Sequence, residues 1–140
     1  MINVRRCSIA DIEAAPNLAA VLAEYGAECA QPELGASRVN ADAYRALEAA
    51  GILHPIGAFR GVLLAGFIFP LVVTLPHYGV ATATVESYFV ARSERASNAG
   101  LKLLALAEET ARGLGAKALI LSAPVSGALA SVLRAVRSYR

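Results

Sequence analysis

The chain has 140 residues, 56% of them hydrophobic and 17% charged, with a formal net charge of +2. That length and apolarity predict one domain (1–140) with a normal buried core and exclude a disordered chain, and so small a net charge argues against a nucleic-acid partner. Cys7 and Cys29 have no CxxC spacing and no nearby histidine, which excludes a metal site and a disulfide framework and leaves two reduced thiols in a cytoplasmic protein.

The N-terminal MINVRRCSIADIE has no apolar signal core. Residues 2–7, INVRRC, read as a first strand. Ser8 with Asp11 three residues later is a capping box that opens a helical region. Pro16 breaks that region or begins a second helix, PNLAAVLAEYGAECA, whose Leu18, Val21, Leu22 and Tyr25 share one face. QPELGASR, residues 31–38, is a polar loop, and Asn40 or Asp42 can cap the next helix, ADAYRALEAAG, which stops at Gly51.

The hydrophobic period then changes. ILHPIGAF and VLLAGFIFPLVVTL flank Arg60-Gly61, which is a hairpin signal. PHYG, residues 76–79, is a second turn, and VATATVESYFVA is the third strand of a meander. From Gly61 to Val85 there is no formal charge, whereas a membrane helix wants about 20 unbroken apolar residues. Pro70, Pro76, His77 and Gly79 interrupt the run, so it predicts two buried strands and no membrane partner.

A helix to about Gly113 follows. Gly100, Leu103, Leu104, Ala107, Ala111 and Leu114 form its apolar stripe, with Lys102, Glu109 and Arg112 toward water. KALILSA, residues 117–123, is a short buried strand and SGALASVLRAV, residues 126–136, a last helix. This order gives an α/β (mixed) class, with the last strand reached by a parallel, right-handed crossover.

VARSERASNAGLKLLALAEE, residues 90–109, leads from a strand through a charged loop into a helix. The first amides of a helix have no internal partner and carry partial positive charge, so an anion suits this loop. The plain alternative is an ordinary helix start, with Ser97 or Asn98 as cap and Arg92 and Arg95 as solvated charges. Here the chain resembles the GNAT family of acyl-CoA-dependent N-acetyltransferases. Their signature is a hydrophobic strand ending in Val, then Arg or Gln, x, x, Gly, x, Gly or Ala opening a helix. Val90 ends the strand, and Arg95-Ala96-Ser97-Asn98-Ala99-Gly100 supplies the match, with Asn98 where the family prefers Gly. Asn tolerates left-handed backbone better than most residues, which keeps such a loop possible. The element order agrees over essentially the whole chain, and AGLKLL followed by GAKALILSAPVSGAL is similar to small acetyltransferase-like proteins of phages.

The resemblance implies a GNAT-like central mixed sheet with helices on both faces and acetyl-CoA as cosubstrate. The pyrophosphate would sit on the amides of Arg95, Ala96, Ser97, Asn98, Ala99 and Gly100, with a charge-assisted contact from Arg95. Pantetheine would run between the Glu86–Ala91 and Lys117–Ala123 strands, which splay apart, and the amides around Phe89 and Val90 would polarise the thioester.

Acetyl transfer needs a deprotonated amine, oxyanion stabilisation and a proton for the leaving thiolate. Glu86 is the only carboxylate of the meander, on a strand face shared with Thr84 and Tyr88, where many family members place a general base. It reads equally as a strand-end charge. The family's proton donor is a Tyr on the last helix, five residues before the aromatic of a Gly-Phe or Gly-Tyr pair. Taking Ser138-Tyr139 as that pair puts Arg134 there, so the acid is missing; Tyr139, Tyr78 and Tyr88 are the candidate substitutes, with a plain core role as the alternative. His54 reads as structural and His77 as a substrate contact; no metal is expected. The two N-terminal helices, the 30–40 loop and the 76–79 turn form the surface for a small amine or peptide acceptor. The family adds two strands after the last helix, which this sequence lacks; KALILSA would then be an apolar edge. That predicts a homodimer through Leu119, Leu121, Leu129, Val132 and Leu133, or further residues that cover the edge. A non-catalytic acyl-CoA-binding or interaction module, and a different nucleotide-anion domain, are the rival readings.

Overall fold

Side chains that satisfy otherwise orphaned amides start two of the helices. Ser8 Oγ accepts from the Asp11 amide and the Asp11 carboxylate from the Ser8 amide, both at 3.0 Å, which opens α1 (Ile9–Glu13). Asn40 Oδ1 accepts from the Ala43 amide at 3.0 Å and opens α3 (Ala41–Ala49). Pro16 lies between α1 and α2 (Leu18–Cys29). The computed structural model describes residues 1–29 and 39–122. The polar loop at 31–38, the last helix at 126–136 and Leu129, Val132, Leu133, Arg134 and Tyr139 lie outside the described residues.

Five strands form one mixed sheet: β1 (Ile2–Arg6), β2 (Ile56–Arg60), β3 (Leu63–Leu75), β4 (Val80–Val90) and β5 (Leu119–Ile120). They stand side by side in chain order, the first four antiparallel and β5 parallel to β4. Gly61 at φ +61° and Gly79 at φ +66° supply the left-handed backbone that the two tight turns of the meander require. The charge-free run is therefore β3, a turn and the start of β4. Among the described residues no helix is long and apolar enough to cross a membrane.

Helices cover both faces. On one, α1, α2 and α3 enclose Phe59, Phe67, Phe69 and Phe89 with Ile12, Val21 and Leu53. On the other, α4 (Ala99–Gly113) lays Leu103, Leu104 and Ala107 on Ile56, Ala58, Ala65 and Ile68. Burying one such leucine contributes roughly 1.5–3 kcal/mol. The α4 stripe is that expected from its period, except that Thr110 is buried within it and Leu114 is exposed.

The strand expected over 117–123 pairs with β4 only through Ala83–Leu119 and Thr84–Ile120, flanked by amide bonds of 2.9 Å from Ala83 to Ala118 and from Lys117 to Ala81. Leu119 and Leu121 pack, partly buried, against the α4-side core. Beyond Thr84 the outer edge of β4 has no strand partner among the described residues.

Candidate active site

A bulge in β4 decides where its side chains go. Phe69 pairs with Ser87 and Pro70 with Val85, so Glu86 is the extra residue with no cross-strand partner. Pro70 turns its carbonyl to the His54 amide (3.1 Å), which places its missing N–H on that side, away from β4. The extra residue puts Glu86 and Ser87 on the same face, that of α2 and α3, while Val85 and Tyr88 belong to the α4 face. The face shared by Glu86 and Tyr88, expected from strict alternation, is therefore corrected: Thr84 and Glu86 share a face and Tyr88 lies opposite.

Four groups converge there. The Tyr44 hydroxyl donates to Glu86 Oε1 at 3.0 Å, and Ser87 Oγ donates to Oε2 at 2.6 Å. The Tyr25 hydroxyl donates to Ser87 Oγ at 3.1 Å, and the Tyr44 hydroxyl lies 3.4 Å from the same oxygen. Tyr25 stands edge-on to Phe67 and Phe89, and Tyr44 edge-on to Phe69, so the aromatic core sets both rings. Burial, then the charge of Glu86, holds the Tyr44 phenol well above its ordinary value, and burial does the same to Tyr25. Both stay protonated donors at neutral pH. Glu86 is exposed, its two oxygens fixed by hydroxyls, and it has no cationic partner among the described residues.

The strand runs on into the loop. After Ala91 comes a single 3-10 turn, Arg92–Glu94, and then α4. Ser97 Oγ donates to the Glu94 carbonyl (2.6 Å) and accepts from the Ala99 amide (3.2 Å), while Asn98 makes no side-chain cap. Asn98 has φ −84°, so the left-handed tolerance of Asn is not used. The expectation that all six amides of residues 95–100 face an anion is corrected: those of Arg95, Ser97 and Ala99 already donate to the Arg92 carbonyl (3.3 Å), the Glu94 carbonyl (3.1 Å) and Ser97 Oγ, while those of Ala96, Asn98, Gly100 and Leu101 find no acceptor among the described residues. These four donors open one helix toward an anion.

Gly100 has a packing reason as well. A Cβ there would lie 3.3 Å from the Tyr88 hydroxyl and 3.5 Å from Val90 Cγ2. The Tyr88 hydroxyl donates to the Gly100 carbonyl, and burial pushes its phenol up to about 12. Tyr88 is thus a strut between β4 and α4. On the strand, the Ala91 amide donates to the Ala65 carbonyl at 2.8 Å. Antiparallel alternation sends the Phe89 amide the same way and leaves those of Tyr88 and Val90 on the open edge.

Arg95 is held against the strand end and α2. Its Nε donates to the Val90 carbonyl at 3.0 Å, its Nη2 to Glu28 at 2.7 Å, and the guanidinium lies over the Phe89 ring at 5.4 Å. Tyr78 is exposed in the 76–79 turn with its ring edge-on to His77. His54 meets the Arg6 guanidinium at 3.4 Å, and burial followed by that charge holds its imidazole below the ordinary value. Among the described residues no group of three or more His, Cys, Asp or Glu could hold a metal ion. Sequence reasoning missed Tyr44 and Ser87 as partners of Glu86, Tyr25 as a partner of Ser87, and Glu24 and Glu28 as partners of the loop. The available signal was Pro70 inside an apolar strand, which marks an irregularity.

No protein-family model matches the chain, and no curated protein matches it. Solved structures do. A ribosomal-protein-alanine N-acetyltransferase from Brucella melitensis biovar Abortus 2308 is similar at TM-score 0.76 and 18% identity over 100% of this chain and 92% of that one. An aminoglycoside acetyltransferase from an uncultured soil metagenomic sample gives TM-score 0.76 at 12% identity, over 97% and 87%. A GNAT family acetyltransferase of Staphylococcus aureus subsp. aureus gives 0.68 at 15%, over 88% and 87%. With its helices on both faces of a mixed sheet and a helix opening straight after the fourth strand, the chain has the GNAT acetyltransferase fold.

Proposed function

We propose that the protein is an N-acetyltransferase that moves the acetyl group of acetyl-CoA to the primary amine of an acceptor, with Glu86 as general base. The observation that carries this reading is a continuous track: the edge of β4 beyond Thr84, which has no strand partner among the described residues, leads past the Val90 amide to the amides of Ala96, Asn98, Gly100 and Leu101 around the start of α4, which have no acceptor among the same residues. A phosphate fits the amides, an extended amide chain fits the strand edge, and a thioester carbonyl on that edge meets an N–H donor. Glu86 opens the acceptor side of the same strand, held by Tyr44 and Ser87.

In this reading the carboxylate of Glu86 takes a proton from the acceptor ammonium, directly or through one water. The free amine attacks the thioester carbonyl, the C–N bond forms, the nitrogen releases its second proton to water and the C–S bond breaks. The thiolate leaves and takes up a proton, for which Tyr139 is the candidate donor. The acceptors that the similar enzymes are named for, a ribosomal-protein alanine and an aminoglycoside, are both amines, which supports the reaction class and not a choice between them.

Calorimetry with acetyl-CoA and CoA, followed by thiol release on a panel of amines, amino sugars and peptides, tests it. Saturable coenzyme binding and amine-dependent thiol release are expected. Binding without turnover on any amine would favour a coenzyme-binding module of the same fold, and no binding of either species would overturn the reading.

A further inference from the structure

Helix α2 fastens the loop that would take the coenzyme, and it does so with carboxylates. Glu24 Oε1 accepts from the Arg92 amide at 2.9 Å. One turn on, Glu28 Oε2 accepts from Arg92 Nε at 3.0 Å and from Arg95 Nη2 at 2.7 Å. The two glutamates are four residues apart and so point the same way. Glu24 thus holds the loop's backbone, while the one carboxylate of Glu28 pairs with both guanidiniums.

Glu28 is central to this balance because a single oxygen takes both arginines. Its side chain is only 26% exposed, while those of Arg92 and Arg95 are 65% and 39% exposed. Burial alone would raise its carboxyl, yet the bonds from Arg92 and Arg95 hold it below its ordinary value. Arg95 also sits on the Val90 carbonyl at the open edge of β4, where the track toward the amides passes.

We propose that Glu28 is an affinity-determining residue of the coenzyme loop, its carboxylate competing with the coenzyme phosphates for Arg92 and Arg95. The proposal rests on the coenzyme reading above. In the empty protein Glu28 keeps both guanidiniums on α2. Bound phosphate takes a share of them, and Glu28 opposes this as a like charge beside the anion. Wild-type affinity is therefore set below what the loop's cations could give.

Titration calorimetry of CoA into the wild type, Glu28→Gln, Arg95→Gln and the double variant tests this. Removing one negative charge beside the site is expected to tighten CoA by about 3- to 10-fold and to steepen the loss of affinity with salt. Arg95→Gln should cost more affinity in the Glu28→Gln background than in the wild type, because there no carboxylate of Glu28 competes with the phosphate for Arg95. Glu28→Gln that is folded by circular dichroism and binds CoA no better than wild type would overturn the proposal and leave Glu28 a strut. The arginine Nε–H signals of the wild-type protein give a measure independent of any variant: those of Arg92 and Arg95 should move on CoA addition, and unmoved signals at saturation would also overturn it. If wild type binds no CoA at all, the coenzyme reading fails first, and this proposal with it.

Discussion

The two faces of the sheet are built from different chemistry. Toward α2 and α3 the core is aromatic, with Phe67 stacked on Phe69 and tilted against Phe89, and Tyr25 and Tyr44 edge-on to them. Toward α4 it is small and aliphatic, with Ile56, Ala58, Ala65, Ile68, Ala99, Leu103, Leu104 and Ala107 almost wholly inaccessible. A tyrosine can bury its ring and still deliver a hydroxyl to a polar partner, whereas a leucine delivers only burial. The aromatic face therefore carries an organised polar cluster at the β4 bulge, and the aliphatic face carries the weight of the fold. What couples them is β4 itself, whose extra residue assigns Glu86 to the first face.

The sharpest test of that division is Glu86→Gln. On the reading above it should lower kcat/KM on an accepted amine by roughly 10²–10⁴, the range for losing general-base assistance. Its melting temperature should barely move, since Glu86 is exposed and has no cationic partner among the described residues. Kinetics and a thermal melt on the same preparation check both halves. An unaltered rate would make Glu86 a strand-end charge and the aromatic face merely core.

The mirror experiment is Leu103→Ala on the other face. Leu103 is 0% exposed against the sheet, and such truncations cost about 2–5 kcal/mol. Urea unfolding should show that loss, while the folded fraction keeps its kcat. A large fall in kcat per folded molecule would break the separation of faces.

Local chemistry was readable from the chain; distant pairing was not. The caps at Ser8 and Asn40 and the turns at Gly61 and Gly79 follow from residues a few positions apart, and the parallel β4–β5 pair, though 36 residues apart, from the strand–helix–strand order alone. The bulge does not, because it depends on Pro70 standing opposite a strand that returns through a turn. Strict alternation then assigned Glu86 and Tyr88 to one face, and a single extra residue reversed that. The partners of Ser87 lie 62 and 43 residues away in Tyr25 and Tyr44, and those of Arg92 lie 68 and 64 away in Glu24 and Glu28. Helix periodicity marked Tyr25 as a core residue, which it is, but says nothing about where its hydroxyl ends.

Alkaline pH should weaken both faces together. Burial pushes the Cys7 thiol, from an ordinary value near 9, and the Tyr88 phenol each up to about 12, and it also raises Tyr25 and Tyr44. Folded-state values above the unfolded ones mean that these groups contribute stability in full below the unfolded values. That contribution is lost as pH rises, because the unfolded chain releases protons the folded one keeps. Urea midpoints should therefore hold to about pH 8 and fall from pH 9 to 11, Cys7 leading and the tyrosines following. Cys7→Ser should remove the first part of the fall. A flat profile to pH 11 would mean that these groups are more hydrated than their burial indicates.

The smallest effects sharpen the comparison most, because they delete the same atom on each face. Tyr25→Phe removes the hydroxyl that donates to Ser87, and Tyr88→Phe the one that donates to the Gly100 carbonyl. Each should cost about 0.5–1.5 kcal/mol of stability, the net worth of one hydrogen bond. Their kinetics should differ. Without Tyr25, Ser87 loses a donor but keeps its own bond to Glu86, so the carboxylate is held less firmly, kcat falls a few-fold and the KM for acetyl-CoA stays the same. Without Tyr88, the first turn of α4 loses its strut to β4, so the amides of Gly100 and Leu101 are less well fixed. The KM for acetyl-CoA then rises a few-fold while kcat at saturation stays. Steady-state kinetics on the two purified variants decide it. If both variants change the same parameter, the bulge and the coenzyme loop work as one unit, and the division between an aromatic catalytic face and an aliphatic supporting face is wrong.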